Sequence, residues 1–164
     1  MDLTTKPIAP QRQQLEQAIG HFILDLGMIE ATMIQALAVL TSVPSNQAHF
    51  LLNKTAGGAK AALLKEAAIA KGIDIKATGL GDALGTIHKI MDFRNQLVHD
   101  AVGFHSNTQT WVHGKGTPDG DKVFGKKIEI DPARIYELSE QAWEAIRVIG
   151  VEILQKHGEF TYTL

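Results

Sequence analysis

The sequence predicts a mainly α protein, an up-and-down bundle of about five helices with a β-hairpin inserted before the last helix. Apolar residues recur at spacings of three and four over long stretches, which is the period of an amphipathic helix. The composition is 45% hydrophobic but only 6% aromatic, and this favours a helical core of aliphatic side chains. At 164 residues, the chain fits one domain, with residues 1–8 expected to form a flexible arm.

The longest periodic stretch predicts a first helix over Pro10–Thr41. Its apolar positions extend from Leu15 to Leu40 at helical spacing. Gly20 and Gly27 are seven residues apart and therefore share one side of this helix. A glycine costs roughly 1 kcal/mol against alanine inside a helix, so a close-packed neighbour is one explanation and simple tolerance is the other.

The middle of the chain predicts three shorter helices. Their expected bounds are Gln47–Thr55, Ala59–Lys71, and Gly81 or Asp82 to His99. Ser45 or Asn46 is the expected N-cap of the first, which should stop or bend at Gly57–Gly58. Gly72 follows the second helix as a C′ glycine.

After Asp100 the pattern changes to short β-branched and aromatic runs. QTWVHG and KVFGKKIEI flank the turn-rich KGTPDGD, so residues 108–130 predict a β-hairpin. Asp131 is then a good N-cap and Pro132 a good first-turn residue for a final helix ending near Gly158.

Composition excludes several functional classes. The chain has no cysteine, which removes disulfides, thiol nucleophiles and thiolate metal sites. A net charge of −2 and a pI near 6.4 give no whole-domain basic surface for long duplexes. The N-terminus lacks the features of a signal peptide, and Asp25 and Glu30 would be costly in a membrane span. We therefore expect a cytoplasmic protein without a membrane partner.

The stretch MDFRNQLVHD, residues 91–100, ends the fourth predicted helix with an unusual arrangement. A helical wheel gathers one apolar arc, formed by Leu84, Ile87, Ile90, Met91, Leu97 and Val98. Arg94 falls inside this arc. Its stem could pack while its guanidinium reaches water or a core carboxylate such as Asp25 or Glu30; alternatively, it is aimed at an anion in a groove.

A polar stripe occupies another side of the same helix. It is formed by His88, Asp92, Asn95 and His99. The stripe is either a solvated helix face or part of a site, and the His88–Asp92 spacing also suits an ordinary surface contact. The residue spacing matches no established metal-ligand set, so neither a metal nor a cofactor is expected.

The segment Arg94-Asn95-Gln96-Leu97-Val98-His99 resembles the R-polar-x-x-x-H signature of the HEPN superfamily. This resemblance implies a four- or five-helix bundle, often dimeric, and for many members a metal-independent endoribonuclease of a toxin–antitoxin or phage-defence system. It assigns Arg94 to the scissile phosphate and His99 to general acid–base catalysis. Asn95 would hold the phosphate or orient the histidine.

The remaining expected substrate contacts are Asp92, His88, Lys126 and Lys127, although the two lysines also suit a solvated hairpin. Arg94 and His99 lie about 140° apart around an ideal helix, so two copies facing each other would assemble the site more readily. The expected partners are a second copy, single-stranded RNA and an antitoxin or other protein. Two other functions stay open: a non-catalytic HEPN-like module that binds a nucleotide, RNA or a protein, and a helical dimerisation protein.

Overall fold

Five α-helices account for most of the chain that the structure describes. A computed structural model describes residues 10–99, 101–105, 110–114 and 128–158, with side chains over 12–98 and 130–158. The helices are α1 (Pro10–Thr41), α2 (Ser45–Leu52), α3 (Gly57–Ala70), α4 (Leu80–His99) and α5 (Pro132–Ile149), and a π-helical segment spans Gly150–Gln155. The predicted mainly helical bundle is confirmed, whereas the expected arm at residues 1–8 lies outside this description.

Pairwise packing closes four of the helices into a ring. α1 packs against α3 and α5, and α4 packs against the same two helices. Two contacts show the relative direction of α1 and α5: His21 meets Tyr136, and Asp25 meets Trp143. Because the contacts advance towards the C-terminal end of both helices, α1 and α5 run parallel. α4 runs the opposite way, because Phe93 near its end meets Phe22 near the start of α1 at a ring-centroid distance of 5.8 Å.

The core lies between these four helices and is mostly aliphatic. Its largest fully buried apolar side chains are Phe22, Ile29, Met33, Leu64, Leu80, Ile87, Ile90, Ile135, Ile149 and Ile153. The buried residues of α1 follow the apolar period predicted for the first helix, and Ile87 and Ile90 lie in the apolar arc predicted for the fourth. Burial of such side chains provides most of the favourable free energy of folding, at about 1.5–3 kcal/mol for each one.

Three short strands connect α4 to α5. β1 (Ala101–His105), β2 (Thr110–Gly114) and β3 (Ile128–Ile130) form an antiparallel sheet in that order. Ala101 pairs with Gly114, and Trp111 pairs with Ile130. The predicted turn lies within residues 115–127, outside the described chain, so the hairpin over residues 108–130 stays a prediction.

Two predicted helix boundaries are wrong for local reasons. α2 begins directly after Pro44, which occupies the N-cap position, so Ser45 and Asn46 lie in the first turn of the helix; Asn46 Oδ1 accepts a hydrogen bond there from the backbone N–H of Gln47 at 2.9 Å. Gly57 and Gly58 begin α3 instead of ending α2. The glycines serve close packing: a Cβ on Gly57 would lie 2.5 Å from the sulfur of Met91 in α4.

The end of α3 and the beginning of α5 follow their expected caps, whereas α4 begins at Leu80, before the predicted Gly81 or Asp82. Gly72 has a φ of +77°, a conformation that glycine adopts without strain, and it terminates α3 as predicted. Asp131 caps α5 by accepting a hydrogen bond from the backbone N–H of Ala133 at 2.9 Å. The change to π-helix at Gly150 is not predicted, because apolar periodicity does not encode a one-residue shift in backbone pairing.

Within the described residues, one helix is long and apolar enough to meet the length and composition test for a membrane span. It covers Arg12–Thr41. An 18-residue stretch of this helix has a mean hydropathy of 1.7, and 56% of that stretch is buried inside the bundle. Asp25 and Glu30 on this helix both bond to side chains of other helices. The apolar character of α1 thus serves the core of the bundle in this structure.

Candidate functional site at the end of helix 4

The last two turns of α4 extend past the helix that covers its earlier part. α3 begins at Gly57, which packs on Met91, and the following turn of α4 lies roughly 5 Å further along the axis. Val98 shares a side of α4 with Met91 but is 50% exposed. Its place in the apolar arc therefore does not bury it, because α3 begins beside Met91, one turn earlier along α4.

Arg94 lies in these last turns of α4 and is half-buried, whereas Leu97 in the same turns is buried. Its Nη1 donates a hydrogen bond to Oδ1 of the adjacent Asn95 at 3.1 Å. The two core carboxylates considered as partners are bonded elsewhere: Asp25 accepts from Trp143, and Glu30 accepts from Lys60. The described side chains therefore give Arg94 a neutral amide as its hydrogen-bond acceptor, and this leaves the guanidinium charge available for an anion.

The polar stripe passes the beginning of α3. His88 and Asp92 are both exposed, with His88 Nε2 3.7 Å from Asp92 Oδ2. A Cβ on Gly58 would lie 3.1 Å from His88 Nδ1, so this imidazole rests against the first turn of α3. Asn95 continues the stripe and is exposed. The structure therefore brings His88, Asp92 and Asn95 to one solvent-facing surface.

The N-terminus of α3 adds backbone donors to this surface. Its N-cap position is Ala56, which has no side-chain capping bond, and the first turn contains no acidic residue. The first N–H groups of a helix have no intrahelical acceptor and carry the positive end of the helix dipole. Such a terminus attracts anions, and Asp92 opposes that attraction with a negative charge nearby.

Three expected site residues have side chains outside the described part of the chain. The backbone of His99 ends α4, without its side chain being described. Lys126 and Lys127 lie outside the described residues altogether. Across the residues that the structure describes, no group of three His, Cys, Asp or Glu side chains is arranged to hold a metal ion.

Two buried polar contacts were missed by sequence reasoning. Lys60 is only 1% exposed, and its Nζ lies 2.6 Å from Oε2 of Glu30. Asp25 is 4% exposed and accepts a 3.1 Å hydrogen bond from Nε1 of Trp143. Lys60 lies four residues before the buried Leu64, so an apolar-arc position for this lysine was the available signal. The identity of its partner depends on tertiary packing.

The clearest electrostatic perturbation lies away from the end of α4, on the exposed face of α5. A hydrogen bond from Arg147 lowers the pKa of the Glu144 carboxyl from its usual value, and the same bond raises the pKa of Arg147. Two hydrogen bonds hold the pair: Arg147 Nε donates to Glu144 Oε2 at 2.9 Å, and Arg147 Nη2 donates to Glu144 Oε1 at 2.6 Å.

Comparisons of the chain with protein-family models, with curated proteins and with solved structures each found no match. The fold and the arrangement of side chains show a mainly helical bundle in which Arg94 and the polar residues His88, Asp92 and Asn95 lie towards the end of α4.

Proposed function

We propose that this chain is a HEPN-like, metal-independent endoribonuclease that cleaves single-stranded RNA at the end of α4. Arg94 contacts the scissile phosphate and stabilises its developing charge. His99 transfers protons at the ribose 2′-hydroxyl or the leaving 5′-oxygen. Asn95 holds the guanidinium of Arg94 and contacts the phosphate.

The observation that carries the proposal is the state of Arg94. Its stem is half-buried while its hydrogen bond within the described chain goes to the uncharged Asn95. A permanently charged planar donor suits the bidentate geometry of phosphate. The uncapped start of α3, one turn away, supports the same anion with backbone N–H groups.

The polar stripe changes how strongly this site attracts a phosphate. Asp92 places a negative charge beside the proposed phosphate, and His88 offsets it when protonated. Replacing Asp92 with Asn should therefore tighten RNA binding most strongly at low salt, where surface charges are least screened. Lys126 and Lys127, in the proposed hairpin insertion, complete the set of RNA contacts.

A homodimer is part of the proposal. Arg94 and His99 diverge by about 140° around one helix, so residues from two copies complete a site more readily than residues from one. Sedimentation velocity should therefore show a dimer at the concentrations at which RNA is cleaved. Activity from a species that remains monomeric would rule out this shared-site arrangement.

The direct test is cleavage of a single-stranded RNA pool in EDTA. Wild-type protein should leave 2′,3′-cyclic phosphate ends, as expected when a 2′-hydroxyl attacks the neighbouring phosphate. Arg94→Ala should lower the rate about 10²–10³-fold, the usual effect of removing a charge-stabilising donor. His99→Ala should lower it about 10²–10⁴-fold, the range for a general acid or base.

Arg134→Ala is a matched control because this exposed arginine on α5 pairs with Glu137. Cleavage unchanged in Arg94→Ala and His99→Ala would overturn the proposal. Absence of cleavage, combined with RNA binding that depends on Arg94, would instead support the non-catalytic HEPN-like module.

The biological setting that we propose is a cytoplasmic toxin or phage-defence effector with an antitoxin partner. Induced expression in a bacterial host should arrest growth, and Arg94→Ala should relieve the arrest at equal protein level. Growth arrest of equal strength from the variant would separate toxicity from the proposed site.

A dimerisation protein is the second candidate, favoured by the outer side of α1. Among the described residues, a Cβ on Gly20 or Gly27 would meet no atom within 4 Å apart from the helix's own backbone, so packing within that part of the chain does not require these glycines. Leu24, between them, is 72% exposed. Gly20→Leu and Leu24→Glu should each dissociate a dimer that uses this face, and cleavage would then show whether dimerisation and catalysis are linked.

A further inference from the structure

A cavity between α1 and the C-terminal helical region lies apart from the surface discussed above. Its volume is about 230 Å³. Most of its wall is apolar, and the residues that matter here are Met28, Ala31, Trp143, Ile146, Val151 and Leu154. Small-molecule sites are typically concave and apolar, with a few polar groups.

Trp143 gives the cavity a flat, fixed wall. Its Nε1 donates to Asp25 Oδ1 at 3.1 Å, and Asp25 is buried. The indole is nevertheless 45% exposed. Because the polar edge of the ring is tethered inside the bundle, the aromatic surface has a defined orientation and favours a stacked aromatic partner.

The backbone keeps this space open. Gly150, which begins the π-helical segment, lines the cavity, and a Cβ added to it would meet nothing within 4 Å. Its φ of −57° is ordinary helical geometry, so the backbone does not require glycine. Glycine costs about 1 kcal/mol against alanine in a helix, and π-helical turns occur frequently at functional sites.

Charge and size narrow the class of ligand. Arg147 at the cavity is already held by two contacts to Glu144, which together form a neutral pair and reduce the preference for an anion. A closed apolar cavity of about 150 Å³ accommodates benzene, so the larger volume suits two fused rings. We propose that this cavity binds an uncharged, planar aromatic molecule of about two fused rings, stacked on Trp143.

The proposal is independent of RNA cleavage and is tested with indole as the probe. Methyl groups of ¹³C-labelled methionine report on binding, because Met28 lines the cavity whereas Met33 and Met91 lie in the core. Indole should shift the Met28 methyl signal saturably through its ring current. The Met33 and Met91 signals should stay in place.

Gly150→Leu is the matched loss-of-binding variant, since its side chain would occupy the cavity and its helix propensity is higher. Its Kd for indole should rise at least tenfold, without a lower Tm. Gly85→Leu is the control: Gly85 is an exposed helical glycine of α4, also with no atom within 4 Å of an added Cβ. This variant should bind indole as the wild type does.

Four results would overturn the proposal. The first is an unchanged Met28 signal at millimolar indole, and the second is equal indole binding by wild type and Gly150→Leu. The third is tighter binding of octanoate than of indole, which would assign an alkyl chain instead of a planar ring. A Met28 signal that responds to protein dilution and not to indole would show that a second copy covers the cavity, and this would also contradict the proposal.

Discussion

Lys60 of α3 and Arg94 of α4 are both cations placed among apolar residues of their helices, and the structure treats them differently. Lys60 is fully buried and pairs with Glu30 across the α1–α3 interface at 2.6 Å. Arg94 is half-buried and donates to the amide of its neighbour Asn95. A cation that pairs with a carboxylate of another helix connects the two helices. A cation that donates only to a neutral neighbour retains its charge for a ligand. We therefore expect Lys60 to control stability and Arg94 to control binding.

The largest expected effect is on stability at Lys60. Lys60→Ala removes the buried stem and leaves Glu30 without its partner, which should lower the free energy of unfolding by about 3 kcal/mol. This value is the lower end of the range for buried pairs, because Glu30 is partly exposed. Thermal denaturation should show a Tm lower by about 6–12 °C. Lys60→Met keeps the apolar stem and should lose less than half as much, and Lys65→Ala, at an exposed lysine of the same helix, should change little.

A loss in Lys60→Ala within about 0.5 kcal/mol, the range of ordinary surface substitutions, would contradict a stabilising role. The distinction between the two cations would then need another basis.

The next effect is at Trp143, which donates a hydrogen bond to the buried side chain of Asp25. Trp143→Phe removes the donor to Asp25 and should cost about 1–3 kcal/mol, because a buried acceptor loses its hydrogen bond. Chemical denaturation measures this cost. The double variant Asp25→Leu/Trp143→Phe should recover part of the lost stability, since both polar groups are then removed together. A double variant less stable than the sum of the two single losses would show that the bond is not what Trp143 contributes.

Arg94 should have a much smaller effect on folding. Arg94→Ala should lower the free energy of unfolding by less than about 1 kcal/mol, from loss of its packed stem alone. Denaturation of Arg94→Ala beside Arg134→Ala makes the comparison. A loss as large as that of Lys60→Ala would identify Arg94 as a structural residue and weaken the proposed function.

The smallest effect is the pH dependence of the exposed Glu144–Arg147 pair. The hydrogen bond from Arg147 lowers the folded-state pKa of Glu144, so its contribution to stability is present above the unfolded-state pKa. That contribution is lost as the pH falls through the folded-state value. An NMR titration of the Glu144 carboxyl should give a midpoint below the usual value of 4.5, and Arg147→Gln should raise it. An identical midpoint in the variant would show that the bond does not form in solution.

The sequence predicted the long elements better than the ends and contacts. α1 was predicted over Pro10–Thr41 as observed, because its apolar period continues through Gly20 and Gly27 until the turn before Pro44. The exposed part of the stripe at His88, Asp92 and Asn95 was also predictable. Exposure of Val98 was not, since it depends on α3 beginning at Gly57 and so leaving the end of α4 uncovered.

The candidate site was predictable as a set of residues on one helix, but its surroundings were not. The separation of Arg94 from Asp25 and Glu30 follows from the tertiary positions of Trp143 and Lys60, which lie far away in sequence. The approach of His88 to Gly58 likewise depends on how α3 and α4 cross. Helical period identifies which side a residue occupies, and it contains no information about which helix faces that side.

The parallel pairing of α1 with α5 has a consequence for synthesis. Ninety residues lie between Thr41 and Pro132, and at about 5–20 residues per second the ribosome needs roughly 5–20 s to add them. During this interval α1, the longest of the described helices, lacks the last of the helices that cover it. Its exposed apolar surface is then open to chaperones and to aggregation, so the yield of folded protein should depend on how quickly the final helix is synthesised.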